Sequence, residues 1–191
     1  MHMPTCPDTT LVALTIGGND ADFPSIMQSC ALQGCPAEDD IDRAIDETMP
    51  KVEKTLREIH LQAPSAKIVL LGYPQLFDED SLTCVSGVGG AGMIRINAMA
   101  RTMASAQQQM VTTLHSSGVP VSYESPDPDF AGRRACDDPE GIDKIVVAPQ
   151  GNGDFRRKPG GSWCVSRESF HPTGTGTSAY AQAFARAVGK L

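Results

Sequence analysis

The sequence predicts one α/β domain built on a parallel β-sheet, over residues 1–191. The first observation is size, since 191 residues with 40% apolar content match one ordinary globular domain with a real core. The second is that short apolar runs of strand length alternate with longer stretches whose apolar residues recur at helical spacing. The third is the order strand, helix, strand, helix, strand, loop, helix, which favours parallel strands joined by right-handed crossovers.

The first predicted strand covers residues 9–16, a β-branched and apolar run. It is closed by Gly17-Gly18-Asn19-Asp20, residues that are typical of a turn. A continuous apolar run of this length predicts a parallel strand that is buried on both faces. We therefore expect a buried strand that leads directly into a turn.

The first predicted helix covers about residues 39–63 and ends before Pro64. Its apolar residues recur with helical spacing at Ile41, Ile45, Met49, Val52, Leu56 and Ile59. Pro50 interrupts this pattern, because proline lacks the backbone N–H that an interior helical position uses. We expect a kink at Pro50 or the start of a second helix.

The second strand and its exit cover residues 66–74, and a loop follows to about residue 92. The next helix covers about residues 93–116, capped by Gly118. A third strand is predicted at residues 119–123.

The stretch from 124 to about 164 is rich in proline, glycine and aspartate. One possible strand covers residues 142–147, and the rest is predicted to be loop. A loop of this length in a compact domain is usually functional or held by crosslinks, for which Cys136 and Cys164 are available. A final helix is predicted at residues 175–190, with Tyr180, Phe184 and Val188 spaced as a core stripe.

Charge and hydropathy argue against several classes of partner. The net charge is −7, and the densest basic run is only residues 156–158, which argues against nucleic acid. No apolar run approaches the roughly 18 residues that a membrane span needs. No His-x-x-x-His pattern or carboxylate-rich cluster indicates a metal, so we expect no cofactor.

Six cysteines indicate disulfides and hence a secreted or extracellular protein. Cys30 and Cys35 flank a short segment read as a loop, which suits a small disulfide-closed ring. Six cysteines allow 15 complete pairings, and the sequence alone does not choose among them. Six buried free thiols are the alternative, which the polar, loop-like surroundings of most of these cysteines disfavour.

A glycine-rich segment at residues 87–92 matches the dinucleotide-binding pattern Gly-x-Gly-x-x-Gly. The preceding strand ends about fifteen residues earlier, and no acidic residue occurs between Asp80 and Glu124. A phosphate would therefore lack both the tight strand–helix turn and the ribose contact. We interpret the segment as a glycine-rich loop.

Three segments lie where open α/β sheets bind ligands, at the carboxyl ends of strands or just before the last helix. They are residues 17–20, residues 72–74, and residues 168–172 with the sequence Glu-Ser-Phe-His-Pro. Each has a purely structural alternative, a strand-ending turn in the first case and a helix-entry histidine in the last. Their occurrence together, in this topology, favours a functional site.

These segments resemble the conserved blocks of the SGNH (GDSL-like) hydrolase family. Residues 14–23, around Gly-Gly-Asn-Asp, look like its third block, and residues 168–172 resemble its last block, usually Asp-x-x-His-Pro. Residues 72–77 and the order of the cysteines are similar to the secreted actinobacterial lipases and esterases. The resemblance implies a three-layer α/β/α fold, flavodoxin-like, with a parallel sheet.

The resemblance also implies roles for individual residues. His171 would be the general base, and Glu168 would orient it, although some secreted members use a backbone carbonyl instead. Asn19 would donate its amide to the oxyanion, and Gly18 would allow close approach of the substrate. Cys84–Cys136 is the disulfide that the family implies. Cys6–Cys164 remains, although Cys6 could instead pair outside this chain.

The family's serine block is not found in the sequence. None of the eighteen residues before Asn19 is a serine, and no Gly-x-Ser-x-Gly elbow occurs. Neither Ser162 nor Ser169 is a convincing substitute. We therefore expect the N-terminal strands and the nucleophile to lie outside this chain, in a complementary fragment, a swapped protomer or a longer enzyme. The alternative is a chain with a different sheet edge.

The resulting prediction is a serine-type carboxylic ester hydrolase that acts through an acyl-enzyme. Its substrate would be a lipid, an acylated sugar or a small ester. The alternatives left open are an acyltransferase and a non-catalytic binding module of the same fold. The retention of both Asn19 and His171, which a simple pocket would not need, favours the enzyme.

Overall fold

The computed structural model describes residues 8–80, 84, 86–146, 156–157, 164–166 and 168–190. Its centre is a three-stranded sheet of β1 (Leu11–Leu14), β2 (Lys67–Leu71) and β3 (Val121–Glu124) in the order β1-β2-β3. Both pairs of strands are parallel. The parallel α/β sheet predicted from the sequence is thus observed.

Helices flank the sheet on both faces. They are α1 (Phe23–Leu32), α2 (Glu38–Gln62), α3 (Gly90–Ser116) and α4 (Gly174–Val188), with a short 3-10 helix at Asp127–Phe130. A separate antiparallel pair joins β4 (Arg156–Arg157) to β5 (Cys164–Val165).

The alternation of side chains along β2 separates the two faces of the sheet. Ile68 and Leu70 pack with apolar residues of α2 and α3 in one core cluster. Val69 and Leu71 pack on the opposite face against Ala183 and Ala187 of α4. The arrangement is therefore three layers, as the resemblance implies.

Two helix predictions need correction. No second helix begins at Pro50, because α2 runs unbroken from Glu38 to Gln62 with Pro50 inside it. Pro50 is exposed, so the carbonyl left without its partner on that side can bond to water.

Helix α1 was not predicted. It begins with a proline in its first turn, a favourable position, and its last residues include Cys30, which we had placed in a loop.

Two strand predictions and one loop prediction also change. Strand β1 is shorter than residues 9–16 and only half-buried, since it lies at the edge of the described sheet. Of residues 142–147, Ile142 forms a single bridge to Pro172, residues 143–146 form no strand, and residue 147 lies outside the described residues. The loop expected to reach residue 164 instead contains β4 and begins with the 3-10 helix.

Among the described residues, two disulfides are formed, Cys30–Cys35 and Cys84–Cys136. Both pairings were expected, the first from its position and the second from the resemblance. Cys6 lies outside the described residues, so its pairing with Cys164 stays a prediction. In the parts of the chain that are described, no helix combines the length and apolar character needed to cross a bilayer.

Candidate active site

The turn that follows β1 is held by a dense set of backbone and side-chain contacts. Gly17 has a φ of 104°, a conformation that favours glycine, and a Cβ there would lie 2.7 Å from the Cε of Met103. The carbonyl of Gly17 accepts from the N–H of Ala21 at 2.9 Å. On the α3 side, Gln107 donates its Nε2 to the carbonyl of Ile16 at 3.1 Å. The direction of the chain at this turn is therefore fixed from both sides.

Gly18 lies directly against Tyr73. Its N–H donates to the Tyr73 hydroxyl at 2.9 Å, and a Cβ on Gly18 would lie 2.9 Å from that same oxygen. The Tyr73 ring also meets Phe23 edge-on, with centroids 5.6 Å apart. Burial raises the pKa of Tyr73, with the bond from Gly18 acting in the opposite direction, so the hydroxyl stays neutral at pH 7. The absence of a side chain at Gly18 thus admits Tyr73.

Asn19 projects from this turn into solvent. Its backbone carbonyl accepts from the N–H of Asp22 at 3.1 Å, while its side chain is exposed. Among the described residues, the Asn19 amide forms no side-chain hydrogen bond. Its donor is therefore available to a ligand, as an oxyanion donor requires.

His171 lies on a tightly folded segment just before α4. Its N–H donates to the carbonyl of Glu168 at 2.9 Å, and Phe170 has a positive φ of 61°. Asp143 pairs with this segment in both directions, donating to the His171 carbonyl at 2.9 Å and accepting from Phe170 at 3.0 Å. Phe170 in turn packs edge-on against Phe77, with centroids 5.9 Å apart. The segment is therefore anchored while the His171 ring stays exposed.

The Nδ1 atom of His171 lies 3.2 Å from the carbonyl oxygen of Ser169. A carbonyl can only accept, so this contact favours the tautomer that carries its hydrogen on Nδ1 and leaves Nε2 as a free base. In this geometry a backbone carbonyl orients the His171 ring, which is the arrangement that the resemblance gave as the alternative to Glu168. A carboxylate orienter at Glu168 stays a prediction.

The carboxylates near His171 influence one another. Burial raises the pKa of Asp143, the nearby Glu168 and Glu140 raise it further, and His171 opposes them. Glu168 therefore lies close enough to Asp143 to act on it electrostatically. Asp143 was not singled out from the sequence, because the pairing that brings it to residue 171 spans a long loop.

One cavity lies between the end of β1, helix α4 and the residue that follows His171. It has a volume of about 410 Å³ and is bounded by the end of β1, by Pro172 next to His171, and by α4. Its lining residues are Ala13, Leu14, Thr15, Leu71, Pro172, Thr177, Tyr180 and Phe184. Tyr180 also donates its hydroxyl to the carbonyl of Gly72 at 3.2 Å, which ties α4 to the end of β2. The ends of β1 and β2, and Pro172 next to His171, thus border the same cavity.

A charged cluster fixes α4 at the opposite end of that helix. Arg186 donates to Glu124 at 2.7 Å and in bidentate fashion to Asp129 at 2.7 Å, and Lys190 donates to Glu124 at 2.6 Å. Burial raises the pKa of Glu124, but the bonds from Lys190 and Arg186 outweigh it and the pKa lies below its usual value. In the described residues, no group of three His, Cys, Asp or Glu side chains is placed to hold a metal ion.

Sequence reasoning missed Gln107 and Tyr180 as parts of the site framework. Gln107 had one visible signal, a glutamine at a helical position that falls between the buried Met103 and Met110. Tyr180 was predicted as a core residue only. The segment that contains Tyr73 was singled out by its position, but the hydrogen bond between Tyr73 and Gly18 was not predicted.

The chain is similar to several proteins of Streptomyces. No protein-family model matches it. It is 28% identical over 180 residues to a lipase of Streptomyces rimosus and 26% identical over 180 residues to lipase 1 of Streptomyces coelicolor. Each match covers 92% of this chain and 59% of the relative, so the chain spans about three fifths of these relatives' length. An esterase of Streptomyces scabiei is 28% identical over 109 residues, 44% of this chain and 32% of the esterase.

Two solved structures share the fold. The crystal structure of phospholipase A1 from Streptomyces albidoflavus has a TM-score of 0.72 at 25% identity, and the match covers 96% of this chain and 71% of that one. The extracellular lipase of Streptomyces rimosus has a TM-score of 0.69 at 23% identity, with 94% and 71% covered. These similarities confirm the three-layer α/β/α fold and the resemblance to actinobacterial lipases and esterases.

Proposed function

We propose that this chain, a relative of the actinobacterial lipases and esterases of the SGNH type, carries the general base and an oxyanion donor of a serine-type carboxylic ester hydrolase. The observation that carries the proposal is the contact between His171 Nδ1 and the Ser169 carbonyl, which leaves Nε2 free to accept a proton. The Asn19 side chain, which follows β1, is exposed and makes no side-chain hydrogen bond among the described residues, which supports a role as the oxyanion donor.

In the proposed reaction, Nε2 of His171 takes the proton of a serine hydroxyl, and the serine oxygen attacks the ester carbonyl. The negative charge that develops on the carbonyl oxygen is stabilised by the Asn19 amide. His171 then gives the proton to the leaving alcohol. In the second step His171 takes a proton from a water molecule, the water oxygen attacks the acyl-enzyme, and the acid is released as the proton returns to the serine oxygen. The substrate is an ester, in keeping with the names of the relatives.

The serine itself is proposed to come from a segment that adds to the free edge of β1. Within the described sheet, β1 pairs only with β2, so the N–H and C=O groups of its other edge have no strand partner there. Ala13 and Thr15 at this edge are exposed and border the 410 Å³ cavity. An unpaired apolar edge of this kind favours the addition of another strand. A complementary fragment that carries the family's serine block could supply both the strand and the serine.

An extracellular location belongs to the same proposal. Cys30–Cys35 and Cys84–Cys136 are both formed, and disulfides persist in oxidising compartments. The Streptomyces rimosus lipase that shares the fold is described as extracellular.

Hydrolysis of p-nitrophenyl butyrate by the chain, assembled with a segment that supplies the serine, tests the proposal. His171→Ala should abolish activity, whereas His115→Ala, which alters a histidine in the last turn of α3, should not. Equal activity of the wild-type chain and His171→Ala would refute the role of His171. The chain without that segment should be inactive, and His171-dependent hydrolysis by the chain alone, shown by light scattering to be a monomer, would refute the outside origin of the serine.

A further inference from the structure

The segment that carries His171 contains a β-bulge. Ile142 and Pro172 form an antiparallel bridge. Beside it, Phe170 and His171 together oppose the single residue Asp143. The N–H of Phe170 donates to the Asp143 carbonyl at 3.0 Å, and the N–H of Asp143 donates to the His171 carbonyl at 2.9 Å. Two residues opposite one define a bulge, a feature that often changes the direction of a side chain beside an active site.

Phe170 is the first residue of the bulge, and its backbone is left-handed with a φ of 61°. Glycine commonly occupies this position, since a side chain in the left-handed region is strained. A bulky aromatic residue there is an outlier that persists only when its surroundings hold it in place. The contacts of the Phe170 side chain therefore indicate what stabilises the bulge.

The ring of Phe170 packs against a fixed point in the core. It meets Phe77 edge-on, with the centroids 5.9 Å apart and the planes at 75°, which is a favourable geometry for two aromatic rings. Phe77 is completely buried. The side chain of Asn97 on α3 accepts from the Phe77 N–H at 3.1 Å and donates to the Phe77 carbonyl at 2.8 Å. Phe77 is thus held by backbone hydrogen bonds on both sides, and it supports Phe170.

The conformation of Phe170 also decides what the His171 ring meets. The carbonyl oxygen that lies 3.2 Å from Nδ1 belongs to Ser169, and this carbonyl is part of the planar peptide unit that joins Ser169 to Phe170. The φ angle of Phe170 sets the rotation of that unit relative to the residues that follow. A change from positive to negative φ would therefore turn the Ser169 carbonyl away from the His171 ring.

We propose that Phe170 is a positioning residue for His171, and that its ring, packed on Phe77, maintains the left-handed bulge in which the Ser169 carbonyl meets Nδ1. Without that packing, the strained backbone loses a contact that offsets the strain and relaxes toward other conformations. The imidazole hydrogen then loses the acceptor that favours Nδ1. The consequence for catalysis rests on the proposed function, whereas the position of the hydrogen does not.

The alternative is that the Phe170 ring only fills space in the core, while the backbone bonds to Asp143 maintain the bulge by themselves. In that case, replacing the ring lowers the stability of the protein and leaves the hydrogen of His171 on Nδ1. The two explanations therefore differ in the tautomer of one imidazole, which can be measured directly.

Long-range ¹H–¹⁵N correlation spectra of the chain with ¹⁵N-labelled histidine report which ring nitrogen carries the hydrogen. The spectra are recorded above the pH range in which imidazole titrates, so that the ring is neutral. The chain has four histidines, and the spectrum of His171→Ala identifies the signals of His171. Wild-type His171 should show the form with its hydrogen on Nδ1. The measurement requires neither an ester nor a serine.

Three variants separate the backbone of Phe170 from its ring. Phe170→Asn introduces a residue that tolerates the left-handed region and removes the ring. It should lower the ratio of the Nδ1–H to the Nε2–H tautomer about threefold or more, the factor expected for the loss of one hydrogen bond. Phe77→Leu removes the same contact from the core side and should have the same effect. Phe170→Tyr keeps the ring and should retain the wild-type ratio.

Met110→Ala is the control for a general loss of stability. Met110 is buried in the core cluster that contains Ile68 and Leu70, whereas Phe77 and Phe170 belong to a different cluster. The control should lower the urea midpoint and leave the tautomer ratio of His171 unchanged. Phe170 is only partly buried, so Phe170→Asn decides the test by itself if Phe77→Leu does not fold.

Three outcomes of the spectra would overturn the proposal: a wild-type His171 with its hydrogen on Nε2, a wild-type ratio in Phe170→Asn, or an equal change in Met110→Ala. In the chain assembled with a segment that supplies the serine, Phe170→Asn should also lower kcat about threefold or more at an unchanged KM. If the assembled wild-type protein hydrolyses no ester but the tautomer ratios change as expected, the positioning role stands and only the proposed function is refuted.

Discussion

Replacing Arg186 by methionine tests whether the charged cluster at the end of α4 stabilises the fold. The variant keeps the aliphatic part of the side chain and removes all three short bonds to Glu124 and Asp129. Those two carboxylate side chains are only 9% exposed, so they cannot regain full hydration when the guanidinium is lost. Lys190 remains on Glu124, whereas no other cation is paired with Asp129 among the described residues.

The expected loss of stability follows from how far the charged groups are buried. Removing one partner of a fully buried ion pair costs about 3–5 kcal/mol, because a charge is left without compensation. Arg186 is 37% exposed and Lys190 still pairs with Glu124, so solvent and the remaining cation reduce the loss. We expect a decrease of about 2–3 kcal/mol in the free energy of unfolding, or a Tm lower by about 4–12 °C for a chain of this size.

Urea unfolding followed by circular dichroism measures this loss, with Arg43→Met as the matched control. Arg43 pairs with Asp40 on the surface of α2, where the two side chains are 64% and 53% exposed. The control should lose no more than about 0.5 kcal/mol. If Arg186→Met and Arg43→Met lose the same amount, the argument from burial is wrong.

The difference between Arg186→Met and the wild-type protein should also depend on pH. The folded-state pKa of Glu124 is depressed, so its contribution is present above the unfolded pKa of about 4.3 and is lost as pH falls through the folded value. The stability gap should therefore be largest near neutral pH and narrow progressively below about pH 4. A gap that widens on acidification would contradict this assignment.

Three further predictions concern the site and its framework. Asn19→Ala should lower kcat by about 10²–10³ in an active assembly, measured on a p-nitrophenyl ester, while the urea midpoint stays unchanged because the side chain is exposed and unbonded. Tyr73→Phe should lower the free energy of unfolding by about 1–2 kcal/mol, measured in urea, because it leaves the buried N–H of Gly18 without an acceptor. Cys84→Ser should cost about 4 kcal/mol by loss of loop-closure entropy, measured by thermal unfolding, since Cys84 and Cys136 are separated by 52 residues.

Two of these predictions have a control within the chain. Asp20→Asn, at the exposed position next to Asn19, should retain activity, and a full loss there would show that any change to the turn is harmful. A stable Tyr73→Phe protein would mean that Gly18 finds another acceptor. Cys30→Ser opens a loop with a separation of only 5 and should cost about 2 kcal/mol, so equal losses for both cysteines would contradict the loop-length argument.

Much of the fold was predictable because it is encoded in short-range patterns. The apolar run around Ile68 and Leu70 predicted β2, and the helical spacing from Ile41 to Leu56 predicted most of α2. The short interval between Cys30 and Cys35 suggested their disulfide. These signals need only neighbours within a turn or a strand, so the chain expresses them locally.

Some errors arose where tertiary packing overrode local preference. Pro50 was expected to interrupt the helix, yet α2 continues because Val52 and Leu56 beyond it are buried against β2 and α3. Burial of such side chains outweighs the one hydrogen bond that an exposed proline removes. Helix α1 was missed because its apolar pattern is short and the two cysteines suggested a loop.

The sequence by itself determined the α/β class, the two turn and loop segments that carry Asn19 and His171, and the resemblance that links them. Only the tertiary structure decided that Tyr73 fills the space over Gly18 and that Gln107 holds Ile16. The physical reason is distance along the chain. The partners in these two contacts are 55 and 91 residues apart, and no local preference encodes which distant side chains will meet.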